Sequence, residues 1–570
     1  MRDDRLDLLI VGAGPAGLLA SMFASQLGLR HRVVEARQEL HKEPAAHVLK
    51  THTMEVYRRL GVAEAVLAAA TPVDLQRCVT WCESVAGLIY GQLDLTGMKG
   101  DVPRFRAVSP AHSANIPQSL LEPILHRRAV ELAGAEVVSF GTAFRGFEED
   151  GDGVMATLAG PGGDERVQTR YLIGADGARS AVRRAAGIGF EGPRVLANFL
   201  AVHIRSDVTP FLRRAPGVLF FIRRPGFEGF FIMHQPVGSQ VLMMRFDPEQ
   251  TPFESFDRDC CANIVREAIG APHDFVISSV DQWAMSAQVA TEYRRGRVIL
   301  VGDAAHRFPP TGGLGLNTGV EDVENLLWKL GAVIRGEAGS ALLDSYARET
   351  RPVAVRNCDQ SVSNHRRMQE VDDAIGLGGT AVEARLAAMR ADPSHPAFAA
   401  IRAAVDAQLP HFAFLELEMA ATAAEGAFLP PGRPIARPVP ASEGYQPSFA
   451  PGGPVPHLWI APGVSTVDLM RPDRFTLLAP EGSEAEWAAA CATLSPRTMP
   501  VQVRRLSTAM RGGSACTADF WGGPAYAVLV RPDGRIAWVE PEGGADRRAA
   551  LHEAMRNILG HVAALAGTAD

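Results

Sequence analysis

The residues best suited to chemistry are glycines near the N-terminus that could hold a phosphate group. Gly12, Gly14 and Gly17 have the spacing G-x-G-x-x-G, and Glu35 follows at about the distance of an acid that binds a ribose hydroxyl. Gly12 would permit a tight turn, Gly14 would let a pyrophosphate approach the backbone, and Gly17 would let a helix pack on a strand. The helix N-terminus adds N–H groups and positive potential. The pattern predicts a dinucleotide site but does not separate FAD from NAD.

These residues need a strand before the glycines, a helix after them and a second strand that ends at the acid. The sequence predicts all three: a buried strand at 8–11, a helix at 15–28 that ends at a glycine, and a strand at 31–35. Elements predicted later in the same unit are a helix at 117–133, strands at 136–140, 154–159, 171–174 and 297–302, and a helix at 319–335.

A second pattern begins near residue 198, where alternating residues predict an antiparallel sheet inserted into the first unit. Residues 340–430 are alanine-rich and helical, and a proline-rich connector at 429–456 leads to a C-terminal module. That module has a thioredoxin-like order of elements, and because it lacks C-x-x-C we assign it no redox role. The predicted strands of the inserted sheet are 199–204, 217–222, 229–234 and 240–245. The predicted elements of the module are strands 475–478 and 501–505, helices 484–494 and 546–565, and a hairpin of 525–530 and 535–539.

The bulk composition excludes several classes of protein. A chain of 570 residues is too long for one core and predicts several domains. The net charge of -7 comes from interspersed acids and bases, which argues against nucleic-acid binding. The seven cysteines have no metal-type spacing, so we expect no metal site and free thiols in a reducing compartment. We find no signal-peptide pattern and no apolar run long enough to span a membrane, so we expect a cytoplasmic protein.

Two later segments carry a resemblance to a known family. Residues 171–180 contain Asp176-Gly177 and resemble the "DG" segment of the class A flavoprotein monooxygenases. Residues 297–330 contain Gly302-Asp303 and resemble the "GD" segment of the same family. Segments that are most similar to the phenol and chlorophenol hydroxylase branch, with its thioredoxin-like tail, are 46–49, 53–55, 116–123, 456–469 and 530–534.

The resemblance covers nearly the whole chain and implies its architecture. It implies an α/β fold with a Rossmann-like FAD-binding domain of the p-hydroxybenzoate hydroxylase type, an inserted antiparallel-sheet substrate domain and a C-terminal thioredoxin-like domain. It also implies a homodimer, because relatives of this kind are often dimers. The expected divisions are 1–80, 105–195 and 285–365 for FAD binding, 81–104 and 196–284 for the substrate sheet, 366–453 for a helical region and linker, and 454–570 for the thioredoxin-like domain.

The resemblance also places cofactor contacts on residues. Glu35, with Arg37 beside it, would hold the adenosine ribose, and Asp303 would bind the ribityl or pyrophosphate region. The glycine-rich loop at 312–317 leads into a helix whose N-terminus would stabilise negative charge on the reduced flavin. Pro309 and Pro310 would fix the approach of that loop. The full set of predicted cofactor-binding residues is Gly12, Gly14, Ala16, Gly17, Glu35, Arg37, Gln118, Asp176, Gly302, Asp303, Pro309, Gly312, Gly313, Gly315, Leu316 and Asn317.

The implied reaction uses NADH or NADPH to reduce FAD and O₂ to form a C4a-hydroperoxyflavin, which hydroxylates a small phenolic ring. A base or proton relay is expected, because an unperturbed phenol ionises near pH ~10. His234 ranks first as a catalytic candidate, since the inserted sheet forms the substrate-side wall in the family. The other polar candidates are His52, Tyr90, His47 and Tyr293, and an aromatic run at 220–231 predicts either a pocket wall or a plain sheet core.

Two departures from the family pattern concern the reductant. The family often has an arginine after a proline near residue 45, where this chain reads Pro44-Ala45-Ala46, and its usual Arg-Thr-Met-Glu reads His52-Thr53-Met54-Glu55. The choice between NADH and NADPH is therefore open.

There are three alternatives to hydroxylation of a phenol. The first is hydroxylation or epoxidation of a larger polyketide-like aromatic. The second is a flavin halogenase, which the lack of a Trp-x-Trp-x-Ile-Pro motif disfavours. The third is a flavin-binding redox module that does not turn over.

Overall fold

The structure is a computed structural model that describes residues 5–42, 45–435, 445, 447–506, 526–543 and 546–560. Some sequence predictions lie outside these residues. They concern Pro44, Cys516, part of the connector at 429–456, position 525 of the hairpin and residues 561–565 of the last helix.

The first sheet carries the N-terminal glycine motif. The strand Leu6–Val11 pairs in parallel with His31–Glu35 on one side and with Gly163–Gly174 on the other. Since parallel strands end at the same edge, the turns that follow these strands lie together at one edge of the sheet. The order across the sheet is Arg294–Arg295, Val298–Leu300, Gly163–Gly174, Leu6–Val11, His31–Glu35 and Val138–Phe140, and the antiparallel strands Gly153–Gly160 and Ala143–Asp150 continue from Gly163–Gly174.

Helices cover this sheet and enclose the largest core. Pro15–Gln26 packs against Gln118–Ala133 and Gly315–Ile334, and apolar residues of the three helices meet the strands. Several predicted bounds were wrong; the strand predicted at 171–174, for example, begins at Gly163. The long helix begins at Gly315 rather than near residue 319, and a 3₁₀ turn, Ala135–Val137, occupies the start of the strand predicted at 136–140.

The second sheet has seven strands and two covered faces. One face packs on the helix Arg258–Ile269, and the other packs on the helices Asp344–Ile375, Val382–Ala391 and Ala397–Asp406. It is antiparallel except where Leu219–Arg224 runs parallel to Cys78–Cys82. The order is Phe275–Met285, Ala197–Ser206, Gln240–Phe246, Phe227–Ile232, Leu219–Arg224, Cys78–Cys82 and Ile89–Asp94.

The C-terminal module has the thioredoxin-like order that the sequence predicts. Phe475–Pro480 pairs in parallel with Val501–Leu506 and antiparallel with Val528–Val530, which pairs with Ile536–Val539. Trp328, on the long helix of the first unit, packs at 5.6 Å from the ring of Phe475. The module's helices are Glu484–Cys491 and Arg547–Ile558, and a small hairpin pairs Trp459–Ala461 with Val464–Ser465.

Short elements complete the structure. The short helices are Thr51–Arg59, Ala63–Ala69, Pro103–Arg106, Ala181–Ala185, Thr209–Arg214 and Leu409–Ala413. The short strands are Val48–Leu49, Ala114–Asn115, Phe190–Glu191, Gln288–Ala290 and His306–Arg307. Among the described residues no helix is long and apolar enough to cross a bilayer, no group of side chains has the make-up of a metal site, and the six described cysteines are free.

Candidate active site

The glycines of the N-terminal motif form a cradle that is open at one position. A Cβ atom on Gly12, which has a φ of 107°, would lie 2.3 Å from the carbonyl oxygen of Ala175, and one on Gly17 would lie 1.9 Å from the carbonyl oxygen of Gly12. A Cβ on Gly14 would meet no described atom within 4 Å. Gly12 and Gly17 therefore shape the turn, and Gly14 presents bare backbone to open space at the start of the helix Pro15–Gln26. These residues fit the pyrophosphate of a dinucleotide.

Glu35 lies beside this cradle as a held carboxylate. It accepts the backbone N–H of Ala13 at 2.9 Å and the backbone and side-chain N–H groups of Arg37 at 3.0 Å. Burial alone would raise the pKa of Glu35, but these hydrogen bonds and the charge of Arg37 lower it overall. Glu35 is therefore an ionised acceptor at the place expected for a ribose contact.

Asp303 follows the strand Val298–Leu300 at the same edge of the sheet. Its side chain reaches solvent, and among the described residues it has no hydrogen-bond or ion-pair partner. Partial desolvation by the neighbouring residues raises its pKa, against the fields of His306 and Arg307. The turn before it is anchored, because Asp322 accepts the Gly302 N–H at 3.0 Å and contacts His306 Nε2 at 2.9 Å. An unpartnered carboxylate on a fixed turn fits the polar chain of FAD.

Asp176 and Gln118 are engaged within the protein. Asp176 accepts the backbone N–H groups of Ala181 and Val182, so its carboxylate caps a short helix. Gln118 donates to Glu122 at 2.6 Å. Cofactor contacts of these two side chains stay predictions.

The glycine-rich loop at 312–317 ends at the start of a helix of 20 residues, Gly315–Ile334. A Cβ on Gly315 would meet no described atom within 4 Å, so this helix N-terminus faces open space. Asn317 fastens the loop through its side chain, which bonds to backbone of Gly313, Val48 and Lys50 and to the Thr53 hydroxyl. Backbone N–H groups of the first turn, rather than the Asn317 amide, are therefore the donors available to a flavin.

A cavity of about 540 Å³ lies between this loop and the second sheet. Its volume falls within the range of sites for drug-sized ligands. Its lining includes residues 310–313 of the loop and, from the helices, residues of 365–372 and 411–412. The apolar walls include Val79, Leu95, Phe199, Val218, Leu219, Phe221, Phe230, Ile232, Met285, Met368 and Phe412.

Some residues of the aromatic run at 220–231 line the cavity, and others belong to the core of the sheet. Phe221 and Phe230 line the cavity, with ring centroids 5.9 Å apart. Phe220, Phe227 and Phe231 pack in the core beneath the sheet. Side chains alternate across a strand, so both outcomes occur in one hairpin.

His47 is the histidine candidate that reaches the cavity. Its Nδ1 lies 3.0 Å from Asn115 Nδ2, and both residues are part of the lining. Burial lowers the pKa of His47 to about 4, so the imidazole is neutral near pH 7. His234 packs edge-on behind it, with ring centroids 5.1 Å apart. His47 is therefore a neutral polar group in the cavity lining, beside Asn115.

His234 lies outside the strand in which it was predicted, because that strand ends at Ile232. The residue is fully buried, and neither ring nitrogen has a partner among the described atoms. Burial, with the fields of His47 and His203, holds its pKa well below the ordinary value. It packs against His47 and is not among the described residues that line the cavity.

His52, Tyr90 and Tyr293 are likewise absent from the described lining. His52 lies between Glu324 at 2.8 Å and Glu55 at 3.0 Å. Burial would lower its pKa, but the two carboxylates raise the pKa of His52 to about 10, so it is a buried cation. Tyr90 donates to the carbonyl oxygen of Arg223 at 2.8 Å, and burial raises its pKa.

Sequence reasoning missed several polar groups that line the cavity. Asn115 precedes the segment 116–123 that carried part of the family resemblance, which is the only signal near it. Lys50 likewise follows the segment 46–49, whereas Lys99 had no signal, because isolated lysines usually belong to solvated surface. The other missed polar lining residues include Arg223, His365, Gln369, Asp372 and His411.

Comparison with known proteins defines the class. The FAD binding domain family matches residues 5–361, and the aromatic-ring hydroxylase C-terminal family matches residues 448–562. The chain belongs to the FAD-dependent aromatic-ring hydroxylases, the class A flavoprotein monooxygenases. This confirms the predicted family, the fold class and the FAD cofactor.

Particular relatives align over nearly the whole chain. Aklavinone 12-hydroxylase RdmE of Streptomyces purpurascens is 32% identical, over 98% of this chain and 100% of that protein. The 2,4-dichlorophenol 6-monooxygenase of Cupriavidus pinatubonensis is 32% identical, over 97% of this chain and 96% of that protein. The structure of the flavin-dependent monooxygenase PieE with FAD and substrate has a TM-score of 0.88 and 31% identity, over 98% of this chain and 100% of PieE.

The chain's own residues supply binding, orientation and shielding. Bound FAD supplies the oxygen-transfer chemistry. The turn at Gly14 and Asp303 would hold its polar chain, and the helix N-terminus at Gly315 would stabilise negative charge on the reduced ring. The aromatic walls of the cavity would limit the access of water to the reacting atoms.

Proposed function

We propose that this protein is a single-component monooxygenase that uses NADH or NADPH and O₂ to hydroxylate a phenolic ring. The observation that carries the proposal is the cavity itself. It opens on the residues 310–313 beside the predicted flavin position, and its other walls are largely apolar and aromatic. Such walls favour a flat aromatic ligand and disfavour water.

His47 supports a phenolic substrate in particular. Its imidazole lines the cavity close to the glycine-rich loop, is held by Asn115 and is neutral near pH 7. A neutral imidazole can donate or accept one hydrogen bond at its free nitrogen. We assign it the hydroxyl group of the substrate.

A larger, polyketide-like aromatic is the second candidate, and the cavity volume favours it. A water-sized group occupies about 30 Å³ of liquid, so the seven heavy atoms of phenol would fill roughly 200 Å³. The cavity is about 540 Å³, part of which the flavin ring would take. Two of the relatives named above act, by their names, on 2,4-dichlorophenol and on aklavinone, so the family includes both sizes.

The test is oxidation of NADH and of NADPH by the purified FAD-loaded protein with no added reductase. Simple phenols and multi-ring phenols would be compared, with hydroxylated product and H₂O₂ both measured. We expect one nicotinamide to be preferred and product to match NAD(P)H consumed for one size class. Oxidation that needs an added reductase contradicts the single-component proposal. Substrate-independent oxidation that gives only H₂O₂ with both size classes contradicts hydroxylation of phenols.

Oligomeric state is a separate part of the proposal. We infer a homodimer from the family resemblance alone. Size-exclusion chromatography with light scattering would give a mass near twice 61.1 kDa. A single species at the mass of one chain would contradict it.

A further inference from the structure

One end of the substrate cavity carries two lysines. The ammonium groups of Lys50 and Lys99 lie 3.6 and 3.8 Å from the same oxygen, Oε1 of Glu418. Both lysines belong to the cavity lining, and their side chains are only 6% and 14% exposed. Glu418 itself is fully buried. Two desolvated cations therefore share one carboxylate at the edge of an apolar cavity.

Among the described residues, the remaining contacts of these side chains add no second carboxylate. The other oxygen of Glu418 accepts the backbone N–H of Thr51 at 3.1 Å and the Thr51 hydroxyl at 3.3 Å. Lys99 also donates to the carbonyl oxygen of Phe412 at 2.8 Å, which carries no net charge. Neither lysine is closer than 3.6 Å to Glu418, so both ammonium groups keep capacity for another acceptor.

Among the described residues, Glu418 is the carboxylate that acts on Lys99. Arg104 lies near Lys99 and donates to the carbonyl oxygen of Ala413 at 2.9 Å. His411 also lines this end, and burial with the fields of Lys50 and Arg367 lowers the pKa of His411 to about 3, so it is neutral. Farther along the cavity, Arg223 pairs with Asp372 and Arg245 pairs with Glu228. Among the described lining residues, Lys50 and Lys99 are therefore two buried cations that share a single carboxylate.

We propose that Lys50 and Lys99 form an anion-binding end of the cavity and bind an anionic oxygen, carboxylate or phenolate, on the aromatic substrate. The inference rests on the proposed function and adds a charge requirement to it. A buried cation that lacks a full partner favours an anion strongly, because water does not compete for it there. The aromatic walls would hold the ring, and the lysines would fix the orientation of the substrate within the cavity.

The experiment measures binding to the oxidised holoenzyme by isothermal titration calorimetry at pH 7, which needs no turnover. One pair of probes is 1-hydroxy-2-naphthoate and its neutral amide. The second pair is 2,4-dinitrophenol, which is ionised at this pH, and its methyl ether. We expect the anion of at least one pair to bind about 10- to 100-fold more tightly than its neutral partner. The pair that shows the preference tells whether a carboxylate or a phenolate is recognised.

Variants link that preference to the two lysines. Lys50→Met and Lys99→Met should each remove most of the preference and leave the dissociation constant of the neutral probe within about twofold. Glu418→Gln changes the charge in the opposite direction and should strengthen anion binding, so a failure of one lysine variant to fold does not end the test. Lys42→Met is the matched control, because Lys42 is 70% exposed and is not among the described lining residues.

Two outcomes overturn the proposal. One is equal or weaker binding of both anions, including no binding at all. The other is a preference that persists in both lysine variants. Neither depends on catalysis: tight anion binding without substrate-stimulated NAD(P)H oxidation contradicts the proposed function alone, and coupled hydroxylation with no charge preference contradicts the anion site alone.

Discussion

The side-chain oxygen of Asn317 accepts the backbone N–H of Lys50 at 2.8 Å. This bond joins the glycine-rich loop to the segment that carries the cavity residues His47, Val48 and Lys50. The same side chain also bonds to Thr53, Val48 and Gly313, so its donors and acceptor are fully used. The buried side-chain amide of Asn317 thus connects the loop at the predicted flavin position to the substrate cavity.

Asn317→Ala should destabilise the protein by about 3 kcal/mol, because several buried backbone groups would lose their partner. FAD should also be released at a lower temperature, since the loop loses its anchor. Chemical denaturation and the temperature dependence of flavin fluorescence would measure the two effects. Thr53→Ala removes one of the four bonds and should lower stability by about 1 kcal/mol. Equal stability of Asn317→Ala and the unchanged protein would contradict this role.

Gly14 and Gly17 should respond differently to the same substitution. A Cβ on Gly14 meets open space, so Gly14→Ala should leave the apoprotein's stability within about 0.5 kcal/mol and weaken FAD binding by at least about tenfold. A Cβ on Gly17 would lie 1.9 Å from a backbone oxygen, so Gly17→Ala should unfold or strongly destabilise the apoprotein. Thermal unfolding of the apoproteins and FAD titration would separate the two. Unchanged FAD affinity in Gly14→Ala would remove Gly14 from the cofactor site.

The first unit was predictable from the sequence because its signals are local. The strand His31–Glu35 has the predicted bounds. A glycine turn at Gly28 precedes the strand, and Glu35 itself ends the short apolar run. The inserted sheet was predictable as a set of strands from their alternation. His234 was misplaced because that alternation continues past Ile232, whereas Pro236 cannot donate to a sheet and the chain turns away.

The cavity was not predictable at the level of its lining. Its walls join residues near 47, 115, 221, 310, 368 and 411, which lie far apart in the chain. Periodicity shows that the helix Asp344–Ile375 has a buried face, but it does not show which sheet that face contacts. The carboxylate that Lys50 and Lys99 share was not predictable either, because Glu418 lies in a segment whose composition indicated only a helix.

Asp303→Asn tests the carboxylate at the edge of the sheet. The change keeps the size of the side chain and removes its charge, so we expect FAD affinity to fall by about tenfold. Burial raises the pKa of Asp303, which means that the folded apoprotein opposes its ionisation. The apoprotein should therefore be equally stable or more stable at pH 7 after the change. A loss of apoprotein stability without a loss of FAD affinity would give Asp303 a purely structural role.

His52 gives a pH dependence whose sign can be worked out. The carboxylates of Glu324 and Glu55 raise its pKa to about 10, from an unfolded value near 6.5. The stabilisation is therefore fully present below about pH 6.5 and is lost as the pH rises through about 10. Urea unfolding between pH 6 and pH 10 should show the protein approaching the stability of His52→Gln as the pH rises.

His52→Arg is the matched control for that series. It keeps a cation between Glu55 and Glu324, as the family's usual arginine would, and should remove most of the pH dependence above pH 6.5. If the unchanged protein and His52→Gln differ by the same free energy of unfolding at all these pH values, His52 is not a buried cation.

His47→Phe tests the polar group that we assign to the substrate hydroxyl. Phenylalanine keeps an aromatic ring beside His234 but cannot bond to a phenol, so hydroxylation should slow by about 100-fold. More of the NAD(P)H consumed should end as H₂O₂, because a poorly oriented ring captures less of the oxygen.

Burial lowers the pKa of His47 to about 4, so its own titration should leave activity unchanged between pH 6 and pH 8. Asn115→Ala, which removes only the partner that orients the imidazole, should give a smaller loss. FAD affinity should be unchanged in both variants, and hydroxylation at the normal rate in His47→Phe would exclude His47 as the group that binds the hydroxyl.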